Sequence, residues 1–396
     1  MKIGDIWKNI QELDLRPIRE AALSEVRLAI VGREGAGKRT LAGMLRGDPQ
    51  HPDNHALSPI LLADLAIAAQ ADSADLRILL LPADAEEFSR EQALLEKWAT
   101  AGKKCIVFFT GIDRLPEEQT VLPWIETYRS PSLYGTTTDL LFLQKEFAPL
   151  LMKALPKQHL ALGRSFPLLR EPIARELINE TCTANAIYSF GSGLAEIVPL
   201  LDIPLNVADM IVLTKAQGLL VYKLGLALGL STDWQYYVAE FGSVIGSGFV
   251  WRQIARSLIG LVPVWGIVPK VAVAYSGTYV VGQAVLHWYL TGRHLSRKMM
   301  QDTSRKAFES GKRLGRRIGE RAPKRRSRRR LKEIKLEALP DGGPSLPDGG
   351  PSLPVGGPSL SGGGPSLLGG GRPCPDCQTL NEPDAKFCKN CGKAIP

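Results

Sequence analysis

The chain has 396 residues, a formal net charge of +9 and an apolar fraction of 44%. Such a length exceeds one ordinary domain, so we expect two or three domains joined by linkers. Six cysteines, four of them clustered late in the sequence at metal-ligand spacing, indicate a reducing compartment and argue against a disulfide-stapled secreted protein.

The first 25 residues carry charges throughout. A secretory signal needs an uninterrupted apolar stretch, so we expect segment 1–25 to form a short amphipathic helix instead. This helix would lead into the first strand.

The nine residues GREGAGKRT follow an apolar run from Val26 to Val31 and precede a helix-compatible segment. The order of strand, glycine-rich loop, lysine and helix is typical of a P-loop. The glycines let backbone N–H groups surround phosphate oxygens, and the lysine is expected to reach the β and γ phosphates. A glycine-rich turn that only joins a strand to a helix is the alternative. The candidate phosphate-binding residues are Gly32, Gly35, Ala36, Gly37, Lys38, Arg39 and Thr40.

Segment 26–155 alternates strand-like and helix-like stretches. This predicts an α/β P-loop NTPase domain with a mostly parallel sheet and helices on both faces. The later strand-like runs are Ile60 to Leu62, Arg77 to Leu81 and Lys103 to Thr110. Asp64 follows the first of these runs and Asp113 follows the last, so both carboxylates are expected near strand ends.

These motifs resemble those of the TRAFAC (Era-like) GTPases, which carry a P-loop, an acidic strand end and a strand ending in an N-K-x-D-like tetrapeptide. The resemblance implies that GTP is the cofactor and that Asp113 accepts hydrogen bonds from guanine. It also implies a catalytic role for Lys38 and Asp64, with Mg²⁺ held by Asp64 through water or by Thr40. Asp84, at the end of the next strand, is a competing carboxylate.

Four positions differ from the motifs of that family. Arg39 stands where the family has Ser or Thr, and Ile67 stands at a glycine position. Thr110 and Gly111 stand at the Asn and Lys of the tetrapeptide. The differences favour a second hypothesis, in which a degenerate nucleotide-binding scaffold recruits partners.

Segment 156–295 is almost entirely helix-like between its prolines. It resembles the DUF697 family, whose members often follow a P-loop GTPase domain. The resemblance implies an all-α, partly membrane-associated domain and transfers no catalytic residues. The matching stretches are RELI at 175–178, TANA at 183–186, DIPL at 202–205 and ADMIVLTKAQ at 208–217.

The residues themselves leave two interpretations of this segment open. Val271 to Gly292 has no Lys, Arg, Asp or Glu, is just long enough to span a bilayer, and carries Trp288 and Tyr289 near its end. Together with the uncharged run Ser257 to Pro269, it predicts a hairpin inserted from the cytoplasmic side of the cell membrane. The alternative is a soluble helical bundle in the cytoplasm.

Basic residues are concentrated in one region. Arg293 to Glu337 holds 18 Lys and Arg against 5 Asp and Glu, a net of +13 (18 − 5), which leaves −4 for the rest of the chain (9 − 13). Segment 296–339 is helix-prone, and Arg293 to Lys335 is expected to bind an anionic membrane surface, where each basic residue contributes about 1 kcal/mol. Nucleic acid is a less favoured partner because Phe308 is the only aromatic residue there. A solvated segment without a partner is the third option.

Segment 340–372 repeats GGPSL and predicts a disordered Gly/Pro/Ser linker.

Segment 373–396 holds two C-x-x-C pairs separated by ten residues, a spacing that predicts a closed tetrahedral Zn²⁺ site. This stretch resembles the zinc-ribbon modules of bacterial proteins. So short a segment would depend on the metal for its stability, and a redox or disulfide pair is the alternative. The predicted metal ligands are Cys374, Cys377, Cys388 and Cys391.

The leading functional hypothesis is a membrane-associated GTP-binding protein with weak or regulated GTPase activity. Its nucleotide state would control the helical domain, or the contact of that domain with a second copy of the chain. Association with RNA or the ribosome through the basic segment is a third hypothesis.

Overall fold

The structure is a computed structural model, and it describes residues 14–111, 127–128, 130–196, 206–237, 267–321, 372–373 and 380–381. The chain divides into two compact units. We call Asp14–Leu177 with Lys223–Gly229 the α/β unit, and we call the unit that contains Ile178–Tyr222 and the described residues from Leu230 onward the helical unit.

The described elements of the α/β unit contain the predicted alternation of strands and helices. In chain order they are α1 (Arg16–Leu23), β1 (Leu28–Gly32), α2 (Lys38–Arg46), β2 (Gly47–Asp48), β3 (His51–His55), β4 (Ile60–Ala63), a 3₁₀ segment (Leu65–Ser73), β5 (Leu76–Pro82), α3 (Ser89–Thr100), β6 (Cys105–Thr110), β7 (Ser132–Gly135), α4 (Leu140–Phe142), a π-helical turn (Leu143–Phe147), α5 (Ala148–Ala154), α6 (His159–Ser165), a 3₁₀ turn (Pro167–Leu169) and the start of α7 (Arg170–Glu196).

Five of these strands form one sheet in the order β4-β1-β5-β6-β7, and every neighbouring pair is parallel. This confirms the predicted parallel sheet. β1 is buried along its whole length, as expected for a strand covered on both faces. Two elements were not predicted. These are the antiparallel hairpin β2–β3, which stands apart from the main sheet, and the edge strand β7.

Helices cover both faces of the sheet because successive side chains of a strand point to opposite faces. On one face, Leu95 and Trp98 of α3 join a buried cluster. On the other face, the ring centroid of Phe108 lies 5.8 Å from that of Phe142 and 5.8 Å from that of Phe147. The strand residues of the first face are Ala29, Val31, Ala63, Leu79, Leu81, Cys105, Val107 and Phe109.

The helical unit contains most of α7 and of α8 (Asn206–Ala227), together with α9 (Ile267–Thr291) and α10 (Arg297–Arg321). α10 packs closely along α9. A Cβ atom on Gly311 would lie 2.8 Å from the Cα of Ala272, so only glycine allows the two backbones to approach so closely there. α10 buries Met300, Phe308 and Leu314 and leaves most of its basic side chains exposed.

A buried polar contact joins three helices of this unit. The Thr278 hydroxyl of α9 donates to the carbonyl of Ala274 (2.9 Å). It accepts hydrogen bonds from Asn185 Nδ2 of α7 (2.8 Å) and from Gln217 Nε2 of α8 (3.4 Å). One donor and two acceptor sites are all that a hydroxyl offers, so Thr278 is fully used.

Within the described residues, no helix combines the length and the apolar character needed to cross a membrane. This corrects the expectation of a spanning segment at Val271 to Leu290, which lies in α9. The physical reason is composition, since this stretch contains the buried polar side chains Ser276, Thr278 and Gln283. The other arm of the predicted hairpin, Ser257 to Pro269, lies mostly outside the described residues.

Several other predictions also fall outside the described residues. They concern most of segment 1–25, Asp113, nearly all of the linker 340–372 and the four cysteines of segment 373–396. Two short strands flank the first cysteine pair: β8 (Arg372–Pro373) and β9 (Leu380–Asn381) are antiparallel.

Candidate functional site

The glycine-rich loop lies at the carboxyl end of β1. In the sheet, β1 is flanked by β4 and β5, and from β1 the chain runs first to β4 on one side and then to β5 on the other. The carboxyl edge of an open parallel sheet binds ligands at such a reversal of strand order. The topology therefore places residues 33–37 where this kind of sheet forms a ligand site.

The loop has its shape because of three glycines. Gly35 and Gly37 have φ angles of 78° and 89°, a left-handed conformation that side chains disfavour. Gly37 is also the N-cap of α2. A Cβ atom on Gly32 would lie 2.8 Å from the carbonyl oxygen of Leu80, so β1 ends in close contact with β5.

Lys38 begins α2 and folds back across the loop. Its Nζ donates to the carbonyl oxygens of Gly32 (2.8 Å) and Arg33 (2.7 Å) and to Asp64 Oδ1 (2.5 Å). An ammonium group has three N–H donors, and these contacts use all of them. The Lys38 side chain is 13% exposed and that of Asp64 is 61% exposed. The structure thus brings together the two residues to which the resemblance gives a catalytic role.

Asp64 lies at the junction of β4 and the 3₁₀ segment that begins at Leu65. It occupies the N-cap position, but its side chain makes no capping hydrogen bond. Its carboxylate accepts a hydrogen bond from Lys38 Nζ instead, so Asp64 does not act as a helix cap.

A half-buried ion pair that the sequence did not predict links the loop to α3. Arg33 Nε lies 2.5 Å from Glu91 Oε1, and Arg33 Nη2 lies 2.9 Å from Glu91 Oε2. Arg33 also donates to the carbonyl of Glu87, and its guanidinium lies 5.7 Å from the ring centroid of Phe88. The Glu91 side chain is fully buried. The bond to Glu91 raises the pKa of Arg33 above its ordinary value.

Two threonines connect the loop to the far strands of the sheet. Thr110, the last residue of β6, donates from Oγ1 to the carbonyl of Ala36 (3.2 Å). Thr137, which follows β7, lies so close to Gly37 that a Cβ atom there would be 3.3 Å from Thr137 Oγ1. Both threonines are buried. The segments after β1, β6 and β7 therefore meet at one place.

Other predicted site residues are not drawn into this cluster. Arg39 and Thr40 occupy the first turn of α2 and are exposed. The Arg39 guanidinium makes no hydrogen bond or ion pair with any residue that the structure describes. Over the same described ranges, no group of three or more His, Cys, Asp or Glu side chains could hold a metal ion. Asp113 and the four cysteines are not among these residues.

No protein-family model matches the chain, and no curated protein matches it. The α/β domain and its parallel sheet are compatible with a P-loop or Rossmann-like fold, and the glycine-rich loop lies at the carboxyl edge of the sheet.

Proposed function

We propose that the chain is a guanine-nucleotide-binding protein whose P-loop domain controls its helical unit, as the resemblance to the TRAFAC GTPases implies. The observation that carries this proposal is the position of Lys38. Its ammonium lies over the glycine-rich loop at the reversal of strand order, 2.5 Å from the carboxylate at the end of the adjacent strand. Catalysis of phosphoryl transfer consists of positioning and charge neutralisation, which is what a lysine in this place supplies.

Within this proposal, each residue has a limited role. The amides of the loop and of the first turn of α2 bind phosphate oxygens, and Lys38 neutralises charge on the β and γ phosphates. Thr110 holds the loop through the carbonyl of Ala36. Asp113 would select guanine. The proposed turnover is weak or regulated, because the chain lacks the Ser or Thr that normally follows the lysine.

A panel of nucleotides, with binding and turnover measured together, tests the proposal. We expect GTP to bind more tightly than ATP, and Lys38→Ala to weaken GTP binding at least about tenfold. Lys157→Ala is the matched control, because Lys157 is an exposed lysine of the same unit that lies outside the loop. Equal affinity of the wild type and Lys38→Ala, with unchanged unfolding temperatures, would refute the phosphate site. Binding without turnover would favour the scaffold hypothesis.

The exposed face of α10 supports a further part of the proposal, contact with an anionic membrane surface. Among residues 297–320 of this helix, seven Lys and Arg side chains are exposed against two exposed Glu, a net of +5 (7 − 2). Phe308, the single aromatic of the basic segment, is buried and cannot stack on a base, which favours lipid over nucleic acid. The basic residues are Arg297, Lys298, Arg305, Lys306, Arg313, Arg316 and Arg317.

Sedimentation with vesicles measures this contact. We expect binding to vesicles that contain phosphatidylserine, no binding to phosphatidylcholine alone, and release by salt. The double variant Arg316→Gln/Arg317→Gln should bind more weakly. Retention after a salt wash would instead indicate insertion by residues outside the described ranges, and binding to RNA in preference to vesicles would favour the third hypothesis.

For segment 373–396 we propose a structural zinc site formed by Cys374, Cys377, Cys388 and Cys391. The antiparallel pairing of β8 with β9 supports it, because it brings together the chain on either side of the first cysteine pair. Metal analysis should give about one zinc per chain, and Cys374→Ser should lower the zinc content. A segment that is folded and metal-free would contradict the site.

A further inference from the structure

We propose that the P-loop binds phosphate without Mg²⁺, and that the guanidinium of Arg39 supplies the positive charge that a magnesium ion would otherwise supply. This inference rests on the proposed nucleotide site and specifies its chemistry. It departs from what the resemblance implies, which is a Mg²⁺ held by a hydroxyl after the lysine and by a carboxylate at the adjacent strand end.

The hydroxyl ligand is missing at the required position. Arg39, a cation, follows Lys38 directly. Thr40 comes one residue later, and each residue of a helix is turned by about 100° from the one before it. A hydroxyl at Thr40 therefore projects in a different direction from one at Arg39, and the two positions are not equivalent for a metal ion.

The carboxylate ligand is already engaged. Asp64 Oδ1 lies 2.5 Å from the ammonium of Lys38. Mg²⁺ demands near-octahedral coordination by oxygens at about 2.0–2.1 Å and is usually held by one or two carboxylates together with phosphates. Asp64 would have to leave the lysine to coordinate a metal ion directly. The charge next to Lys38 in the first turn of α2 is the positive charge of Arg39, which repels a cation. The described residues directly after Lys38 and at the end of β4 therefore do not fit a magnesium ion.

Arg39 is well suited to bind phosphate directly. A guanidinium is always charged and presents planar pairs of N–H donors that match phosphate oxygens. Arg39 lies at the N-terminal end of α2, where the helix dipole also favours negative charge. Its side chain is exposed and has no hydrogen-bond or ion-pair partner within the described residues, so it can bind a phosphate without losing a contact, whereas Lys38 must exchange a present contact to do so.

Titration of the full-length protein with GTP, in magnesium and in excess EDTA, tests the inference. We expect the two dissociation constants to agree within about threefold. Arg39→Gln should weaken GTP binding about 10- to 100-fold in both buffers, because it removes one or more charge-assisted hydrogen bonds. Arg19→Gln is the control, because it makes the same change of charge at an exposed position of α1. This variant should bind GTP as tightly as the wild type does.

Arg39→Ser restores the hydroxyl that the family carries, so this variant should bind GTP more tightly in magnesium than in EDTA. Wild-type binding that is lost in EDTA would overturn the inference while leaving the proposed nucleotide site intact. Binding by Arg39→Gln equal to that of the wild type would also overturn it. Absence of GTP binding by the wild type in both buffers would instead refute the proposed function.

Discussion

The ion pair between Arg33 and Glu91 predicts an asymmetric response to mutation. The Glu91 side chain is fully buried, whereas that of Arg33 is 35% exposed. Arg33→Met leaves a buried carboxylate without a counter-charge, and we expect a loss of about 3–5 kcal/mol in the free energy of unfolding. Glu91→Gln leaves a guanidinium that can reach water, and we expect a smaller loss of about 1–2 kcal/mol.

The double variant Arg33→Met/Glu91→Gln provides the decisive comparison. The double variant no longer has the unpaired, buried carboxylate of Glu91. It should therefore be more stable than Arg33→Met alone by about 2 kcal/mol, although it carries one more substitution. Urea unfolding monitored by hydrogen exchange on peptides of β1 and β6 reports on the α/β unit alone. At slopes of about 1–3 kcal/mol per molar urea, the difference moves the midpoint by roughly 1 M. A double variant no more stable than Arg33→Met would refute this account of the pair.

Two further predictions concern the core of the α/β unit and the buried thiols. Gly32→Ala should destabilise the protein by about 1–3 kcal/mol in urea unfolding, because the added Cβ would lie 2.8 Å from the carbonyl oxygen of Leu80. Gly43 lies in the middle of α2, and no atom lies within 4 Å of a Cβ added there, so Gly43→Ala should stabilise the protein by about 0.5–1 kcal/mol. A Gly32→Ala variant more stable than Gly43→Ala would contradict the loop geometry. Burial raises the pKa of Cys105 to about 12 and that of Cys182 well above its usual value, so neither thiol ionises appreciably near pH 8. Since the thiolate is the reactive form, peptide mapping after alkylation should find both thiols protected until urea unfolds the chain, and rapid native labelling would contradict their burial.

Much of the fold could be predicted because it follows from local pattern. The runs Ile60–Ala63 and Cys105–Phe109 are continuously apolar, as is typical of strands in a parallel sheet, and they form β4 and most of β6. β7 was missed because Ser132–Gly135 is short and only Leu133 is buried in it. The hairpin β2–β3 was missed because β3 is polar, fully exposed and contains a proline, so it carries no apolar alternation.

The candidate site was predictable only where residues belong to a motif that resembles a known family. Lys38 and Asp64 were assigned to the same site because of the resemblance to the TRAFAC GTPases, and the parallel pairing of β1 with β4 brings together the ends of the strands that precede them. The pairing of Arg33 with Glu91 joins residues 58 positions apart, and no sequence pattern relates them. Such contacts depend on the placement of α3 against the loop, which only the three-dimensional structure reveals.

The three-helix contact at Thr278 limits how the helical unit can respond to a signal. If α7, α8 or α9 slid along its neighbours by one turn, the amides of Asn185 and Gln217 would lose their partner inside an apolar interior, at a cost of about 1–3 kcal/mol for each stranded group. Gradual sliding is therefore disfavoured. Any signal that reaches this unit would have to move these three helices as one rigid body, or act on the chain outside them.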